Sequence, residues 1–256
     1  TGYLVVFSKN NTVNGSGMSL ITAFTTFHPD GKNLSKYDSN LVGYWDMETL
    51  NGTLLKDLSG KGNNGTANGG IIIGGADGNG RTGKAMNFNG ATTYIDLGNA
   101  SSLNPNNELT ITAWVKFTSF STTGGWVKTI VSKGSEPNKQ LYWLGYGNSA
   151  GSFIWYYEIG NTISSAGITN PDILNQNQWY FLVSTAQNGQ MKLYKDGVLA
   201  FSKSTTITSI SSDMNHCIIG RYSPSTYFFD GLIDEVRIYN RTLSDSEILS
   251  LYNTTK

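Results

Sequence analysis

Strand-length apolar runs recur along residues 41–240, each cut by turn residues, and no helical stretch of the kind a parallel sheet requires comes between them. Residues 179–184, 190–194 and 198–202 show the pattern most clearly. They are joined at Gln187-Asn188-Gly189-Gln190 and at Lys195-Asp196-Gly197, and Asn-Gly and Asp-Gly pairs are strong hairpin signals. Further runs lie at 71–73, 109–115, 126–131, 141–147, 153–157 and 218–221. The pattern predicts an all-β chain in which residues 41–254 form two packed antiparallel sheets. Thirty glycines, 12% aromatic and only 14% charged residues agree with many short strands joined by turns. With 256 residues, one large sandwich is a reasonable size. One short C-terminal helix is predicted over 242–249, with Ser244 as N-cap and Glu247 completing a capping box.

Eighteen basic residues balance eighteen acidic ones, so no global field draws the chain to nucleic acid or to an anionic membrane. Any partner is recognised locally. The single Cys217 excludes an internal disulfide and, in the run His216-Cys217-Ile218-Ile219, reads as a small apolar core residue. No apolar run reaches the roughly 18 residues of a membrane span. The chain begins at Thr1, not Met, and reads as a mature or trimmed ectodomain.

Two stretches concentrate acidic residues on strands. Residues 229–239 read as one strand with both faces covered, with Leu232, Asp234, Val236 and Ile238 on one parity and Ile233, Glu235, Arg237 and Tyr239 on the other. The adjacent carboxylates of Asp234 and Glu235 then need partners, because a buried unpaired charge is expensive. In 41–48, Trp45 and Met47 alternate with Asp46 and Glu48. Paired carboxylates suit acid/base chemistry, but outward-facing polar alternation explains them without it. No Gly-rich phosphate loop, Cys/His cluster or Ser-His-Asp arrangement can be assembled, and the only histidines are His28 and His216.

The run FDGLIDEVRIYNRTLSDSEI at 229–248 resembles the closing signature of laminin-G-like, concanavalin-A-like jelly-roll domains. Residues 41–66, 83–114 and 179–199 resemble further family stretches in the family's order. The resemblance covers about residues 41–254, which divides the chain into a jelly-roll domain at 41–256 and an N-terminal extension or remnant at 1–40. It implies a calcium-stabilised, non-catalytic binding or adhesion module at the cell surface or outside the cell, with a glycan or a surface protein as partner. The Glu-x-Asp-x-x-Glu pattern of related glucanases does not occur.

The loop Asp57-Leu58-Ser59-Gly60-Lys61-Gly62-Asn63-Asn64 reads from composition as an Asx-rich turn. The resemblance instead implies a structural Ca²⁺ held by Asp57, Asn63 and Asp234, calcium taking about 6–8 oxygens. Eight Asn-x-Ser/Thr sequons occur, and the one at Asn64 lies in this loop, where a glycan would obstruct an ion. That points to a source that does not glycosylate sequons. Aromatic rings are dense between Trp126 and Tyr157, and alternation turns some of them away from the aliphatic core, where they suit sugar faces or fill a large core. Trp126, Trp143, Tyr156 and Tyr227 are the candidate ligand residues, with Tyr142, Leu144 and Tyr146 on the apolar row. Two other readings compete with glycan binding. One is a structural head domain of a pilin-like surface filament, contacting other filament subunits, which residues 33–37 resemble in style. The other is a glycosidase using Asp46 and Glu48.

Overall fold

A computed structural model describes residues 38–74, 80–105, 107–120, 127–135, 139–149, 152–159, 165–166, 174–204, 215–222 and 227–256. At 127, 135, 139–140, 148–149, 152–159 and 165–166 it describes the backbone alone. The chain divides into Thr1–Asp38 and Ser39–Lys256. The expected N-terminal extension lies outside the described residues but for 38–40.

In chain order the strands are β1 (Leu41–Trp45), β2 (Leu54–Leu55), β3 (Gly65–Asn68), β4 (Ile72–Ile73), β5 (Met86–Asn89) and β6 (Tyr94–Asp96). There follow β7 (Glu108–Phe117), β8 (Val127–Ser135), β9 (Lys139–Ser149), β10 (Ser152–Ile159) and β11 (Ser165–Ala166). The series closes with β12 (Trp179–Gln187), β13 (Gln190–Lys195), β14 (Val198–Ser204), β15 (Cys217–Ile219) and β16 (Asp230–Tyr239), then helix α1 (Asp245–Thr255). The first sheet runs β14-β13-β12-β7-β16-β5-β4, with β1 also paired to β16, and the second runs β11-β10-β9-β8-β15-β6-β3-β2. All-β architecture, antiparallel pairing and a single C-terminal helix are as the turn-punctuated pattern predicted.

Alternation decides which side chains fill the space between the sheets. From β7, Leu109, Ile111, Ala113, Val115 and Phe117 enter the core. From the second sheet Ile95, Val131, Tyr142, Leu144, Tyr146 and Ile219 meet them in the same cluster. Cys217 is fully buried among these residues, its thiol pushed up to about 11 by burial. It packs as an apolar residue. The run 71–73, expected as a buried strand, is instead an edge: Ile72 is 57% exposed, because β4 pairs on one side only, with β5.

Trp114 points from β7 to the outer face of the first sheet, and α1 covers it. Its indole Nε1 donates to Thr255 Oγ1 at 2.8 Å, and its ring stacks on Tyr252 at 5.6 Å. The helix starts where the capping box predicts. Ser244 Oγ accepts from Glu247 N at 3.3 Å while Glu247 Oε2 accepts from Ser244 N at 2.8 Å. Arg241 grips the same carboxylate through both Nη atoms, at 3.0 and 2.7 Å, and its hydrogen bonds push the Glu247 carboxyl down to about 2. Ser244→Ala is expected to cost about 0.5–2 kcal/mol in urea melts. Because the folded pKa of Glu247 is depressed, its contribution is present above about 4.5 and declines as pH falls towards about 2. A Ser244→Ala penalty unchanged between pH 7 and pH 2.5 would contradict that coupling.

The strand at the centre of the first sheet departs from alternation at one place. β16 pairs Ile233 with Val115 and Asp234 with Trp114, then resumes with Arg237 opposite Thr112. Glu235 and Val236 therefore share the place opposite Ala113, a β-bulge with one extra residue. Glu235 takes the left-handed conformation, φ 54°. The expected parity of 232–238 switches here. Ile233, Val236 and Ile238 all enter the core, and neither Asp234 nor Glu235 does, although both are buried.

Candidate functional site

The outer face of the second sheet gathers most of the candidate ligand residues that fall within the described structure. Across it, Trp143 on β9 lies opposite Ser132 on β8, Ser132 opposite Ile218 on β15, Ile218 opposite Asp96 on β6, and Asp96 opposite Thr66 on β3. Their chain neighbours Leu144, Val131, Ile219 and Ile95 point into the core, so this row faces away from it. The row carries Trp143, Ser132, Ile218, Asp96 and Thr66, of which Trp143, Ser132 and Ile218 are buried.

Trp143 is on the face that alternation assigned it, but it is not bare. Its indole Nε1 donates to Thr129 Oγ1 at 3.0 Å. Tyr222 and Tyr227 pack on its ring at centroid distances of 5.7 and 6.5 Å, and lie 5.9 Å from each other. Only 6% of Trp143 stays exposed, which corrects the expectation of an open ring. Gly145 makes this possible, since a Cβ there would come within 3.0 Å of the indole nitrogen. The half-buried member of the trio is Tyr227, held at φ 56° with its carbonyl accepting from Thr129 N at 3.1 Å. A tyrosine in the left-handed region is costly and persists only where its surroundings fix it. Tyr156 pairs through its backbone with Gly145, and Trp126 lies outside the described residues.

Two residues beside the trio escaped the sequence reading. The guanidinium of Arg221 lies 3.7 Å from the ring centroid of Tyr94, which β6 presents on this same face. Arg221 Nε is buried without a hydrogen-bond partner, and the residue's carbonyl accepts from Ser132 Oγ at 2.8 Å. On the neighbouring row, Asp96 is engaged by His216 Nδ1 at 2.8 Å from each carboxylate oxygen.

The expected metal ligands separate into two places. Asp57 is buried, and donors of the chain itself surround it: Tyr44 N at 3.0 Å and Ser59 N at 2.8 Å on Oδ1, Ser59 Oγ at 2.8 Å and Asn63 N at 2.9 Å on Oδ2. Asn63 Nδ2 donates to Val42 O at 2.7 Å, its Oδ1 accepts from Ser102 Oγ at 3.1 Å, and its carbonyl accepts from the Trp45 indole at 2.9 Å. These oxygens knit the loop to β1, as the Asx-turn alternative predicts. Asp234 meets the segment before β5 instead: Oδ2 accepts from Thr82 N at 3.0 Å, while Oδ1 is buried and unpartnered. No hydrogen bond or shared partner joins Asp234 to Asp57 or Asn63 among the described residues.

Around Asp234 the chain supplies negative charge and space. Burial, followed by the nearby Glu235 carboxylate, pushes its carboxyl up to about 8. Glu48 Oε1 accepts from Lys84 N at 3.1 Å. A Cβ on Gly80 would stand 2.0 Å from Lys84 O and 2.8 Å from Asp234 Oδ2, so those two oxygens converge on the space left by the missing side chain. Among the described residues no three His, Cys, Asp or Glu side chains group tightly enough to hold a metal unaided. Asp234 with carbonyl oxygens nevertheless matches the hard, all-oxygen donor set that calcium takes; the committed oxygens of Asp57 do not.

Asp46 and Glu48 do not share a strand face. β1 ends at Trp45, and Met47, buried at φ 58°, breaks the alternation. Asp46 Oδ1 closes the resulting turn by accepting from Glu48 N at 3.2 Å.

Known proteins share this fold. A family model described as the concanavalin A-like lectin/glucanases superfamily matches residues 89–249. No curated protein sequence matches the chain. Among solved structures, domain 4 of AbnA, an extracellular arabinanase from Geobacillus stearothermophilus in complex with arabinotriose, is 24% identical with a TM-score of 0.62. That match covers 83% of this chain and 98% of the other. The binding domain of Paraclostridial Mosquitocidal Protein 1 is 20% identical, TM-score 0.64, over 84% of this chain and 52% of the other. A mutant of Trypanosoma rangeli sialidase displaying trans-sialidase activity is 20% identical, TM-score 0.60, over 84% of this chain and 33% of the other. This chain therefore spans nearly all of the first, about half of the second and a third of the third. None of these supports a pilin-like head, and no described helix is long and apolar enough to cross a membrane. With the family model covering more than half of the sequence and the two-sheet architecture in agreement, the chain belongs to the concanavalin A-like lectin/glucanases superfamily.

Proposed function

We propose that the domain binds carbohydrate, without turning it over, on the outer face of its second sheet, as a module of a secreted or surface protein. The observation that carries this is the packed trio Trp143, Tyr222 and Tyr227 on the outer face of the second sheet, with Tyr227 half-buried. Aromatic rings there have an apolar face to offer to sugar C–H groups, and the neighbouring hydroxyls and charges supply hydrogen bonds. The arabinotriose complex of the arabinanase domain supports the choice of ligand class. Tyr227, the half-buried ring, is the contact residue, with Trp143 fixing it from beneath.

Binding to a glycan array is the first measurement. Tyr227→Ala is expected to weaken whichever glycan binds by about tenfold, an aromatic contact being worth about 0.5–1.5 kcal/mol beyond its area. Its melting temperature should stay close to the parent's, whereas Trp143→Ala should lower both affinity and stability. A blank array would remove the carbohydrate reading.

A structural calcium is the second part of the proposal, favoured by the unpartnered Oδ1 of Asp234. Asp234 and Glu48 supply carboxylate oxygens and Lys84 a carbonyl; Asp57 and Asn63 hold their own loop. When bound, the ion offsets the charge of the buried Asp234 and the half-buried Glu48 carboxylates.

A further inference from the structure

We infer that the sugar recognised on this face carries a carboxylate, and that Arg221 is the residue that receives it. The inference rests on the carbohydrate reading and narrows it to acidic glycans, those with uronic or sialic acid units. Arg221 follows β15 after Gly220 and immediately precedes Tyr222 of the aromatic trio, and its guanidinium lies over Tyr94 on the same sheet face.

The guanidinium has two kinds of surface. Its planar face is used, resting on the Tyr94 ring at 3.7 Å. Its edge, with five N–H donors, is where carboxylates bind, often through two parallel hydrogen bonds. That edge has no acceptor among the described residues, and Nε is fully shielded from solvent. An arginine serving only to pack would be expected to find a carbonyl or carboxylate for a shielded N–H, since an unmet buried donor costs about 1–3 kcal/mol. The neighbouring carboxylate, Asp96, is taken up by His216 at 2.8 Å and does not neutralise Arg221. Tyr94 holds the fork in one orientation, so little freedom is lost when an anion arrives. A sugar ring against Tyr227 would project a carboxylate substituent along the same face towards Arg221.

The test is titration calorimetry with matched probes: trigalacturonate against galactotriose, and sialyllactose against lactose. At low salt at least one acidic probe should bind tenfold or more tightly than its neutral counterpart. Arg221→Gln should erase that preference, lowering the affinity for the acidic probe tenfold or more relative to its neutral counterpart. Raising salt should narrow the preference in the parent and have little effect in the variant. If acidic and neutral sugars bind equally, or if Arg221→Gln keeps the preference, the inference falls and carbohydrate binding stands. If no probe binds and the array is blank as well, the carbohydrate reading itself falls. The uronate and sialate arms identify which acid is taken.

Discussion

Arg237→Ala is expected to lower folding stability by about 3–5 kcal/mol, because it leaves a buried carboxylate without its counter-charge. Arg237 and Glu235 are 2% and 3% exposed, and their Nη2 and Oε2 atoms are 2.6 Å apart. Tyr44 completes the arrangement. Its hydroxyl donates to Glu235 Oε1 at 3.1 Å, and its ring lies 4.1 Å from the guanidinium. Burial holds the Tyr44 phenol well above its ordinary range, so it stays a donor. With the arginine gone, the carboxylate keeps the hydroxyl but loses the charge that offset its desolvation. At about 2–4 °C per kcal/mol for a domain of this size, the melting temperature should fall by roughly ten degrees. The double variant Glu235→Gln with Arg237→Met should recover much of the loss, since replacing a buried pair by neutral groups is often near neutral. A single variant that melts within two degrees of the parent would show that the pair contributes little.

The same bulge explains where sequence reasoning stopped. The two-residue period carries the core assignment of β7, the outward placement of Trp114 and of Trp143, and the hairpins at Asn188-Gly189 and Asp196-Gly197, because each rests on chemistry local to its strand. A bulge is an insertion into that period. Nothing in Leu232-Ile233-Asp234-Glu235-Val236 announces the extra residue, since the residue that turns left-handed is Glu235, where a glycine would have been the usual signal. Two adjacent acids between apolar residues were the available clue, because strict alternation would have pointed one of them into the core.

The exposure of Trp143 was illegible for a different reason. What covers the ring is Tyr222 and Tyr227, about eighty residues away in sequence, and only the fold brings them there. Arg221 and Tyr94 likewise meet through non-local strand neighbours, with β15 beside β6. For Asp57, spacing alone cannot distinguish a carboxylate that collects backbone N–H groups from one that waits for an ion. Both need glycines and Asx residues in a tight loop.

Calcium should therefore act through Asp234. After chelation with EDTA, adding millimolar calcium is expected to raise the melting temperature by roughly five to ten degrees, following about 2.7 kcal/mol at a hundredfold excess over Kd. In the stripped protein Asp234 Oδ1 is buried with no donor, and burial together with Glu235 and Glu48 pushes its carboxyl up to about 8, so the empty site favours the neutral acid. A dication between Asp234, Glu48 and the Lys84 carbonyl displaces that proton, favours the ionised carboxylate and ties the turn after β1 and the segment before β5 to the central strand. Three variants separate this site from the loop at Asp57. Asp234→Asn should remove most of the calcium increment and, in EDTA, leave the protein about as stable as the parent, since burial pushes the Asp234 carboxyl up to about 8 and the amide replaces a group already largely neutral near pH 7. Gly80→Ala should also blunt the increment, because its Cβ would stand 2.0 Å from Lys84 O in the space the ion requires. Asp57→Ala should lower stability with and without calcium alike and keep the increment whole, its hydrogen bonds being to the chain itself. If Asp57→Ala abolishes the increment and Asp234→Asn preserves it, the ion belongs at the loop; if no variant differs from the parent because calcium moves none of them, this fold holds its acidic bulge without a metal.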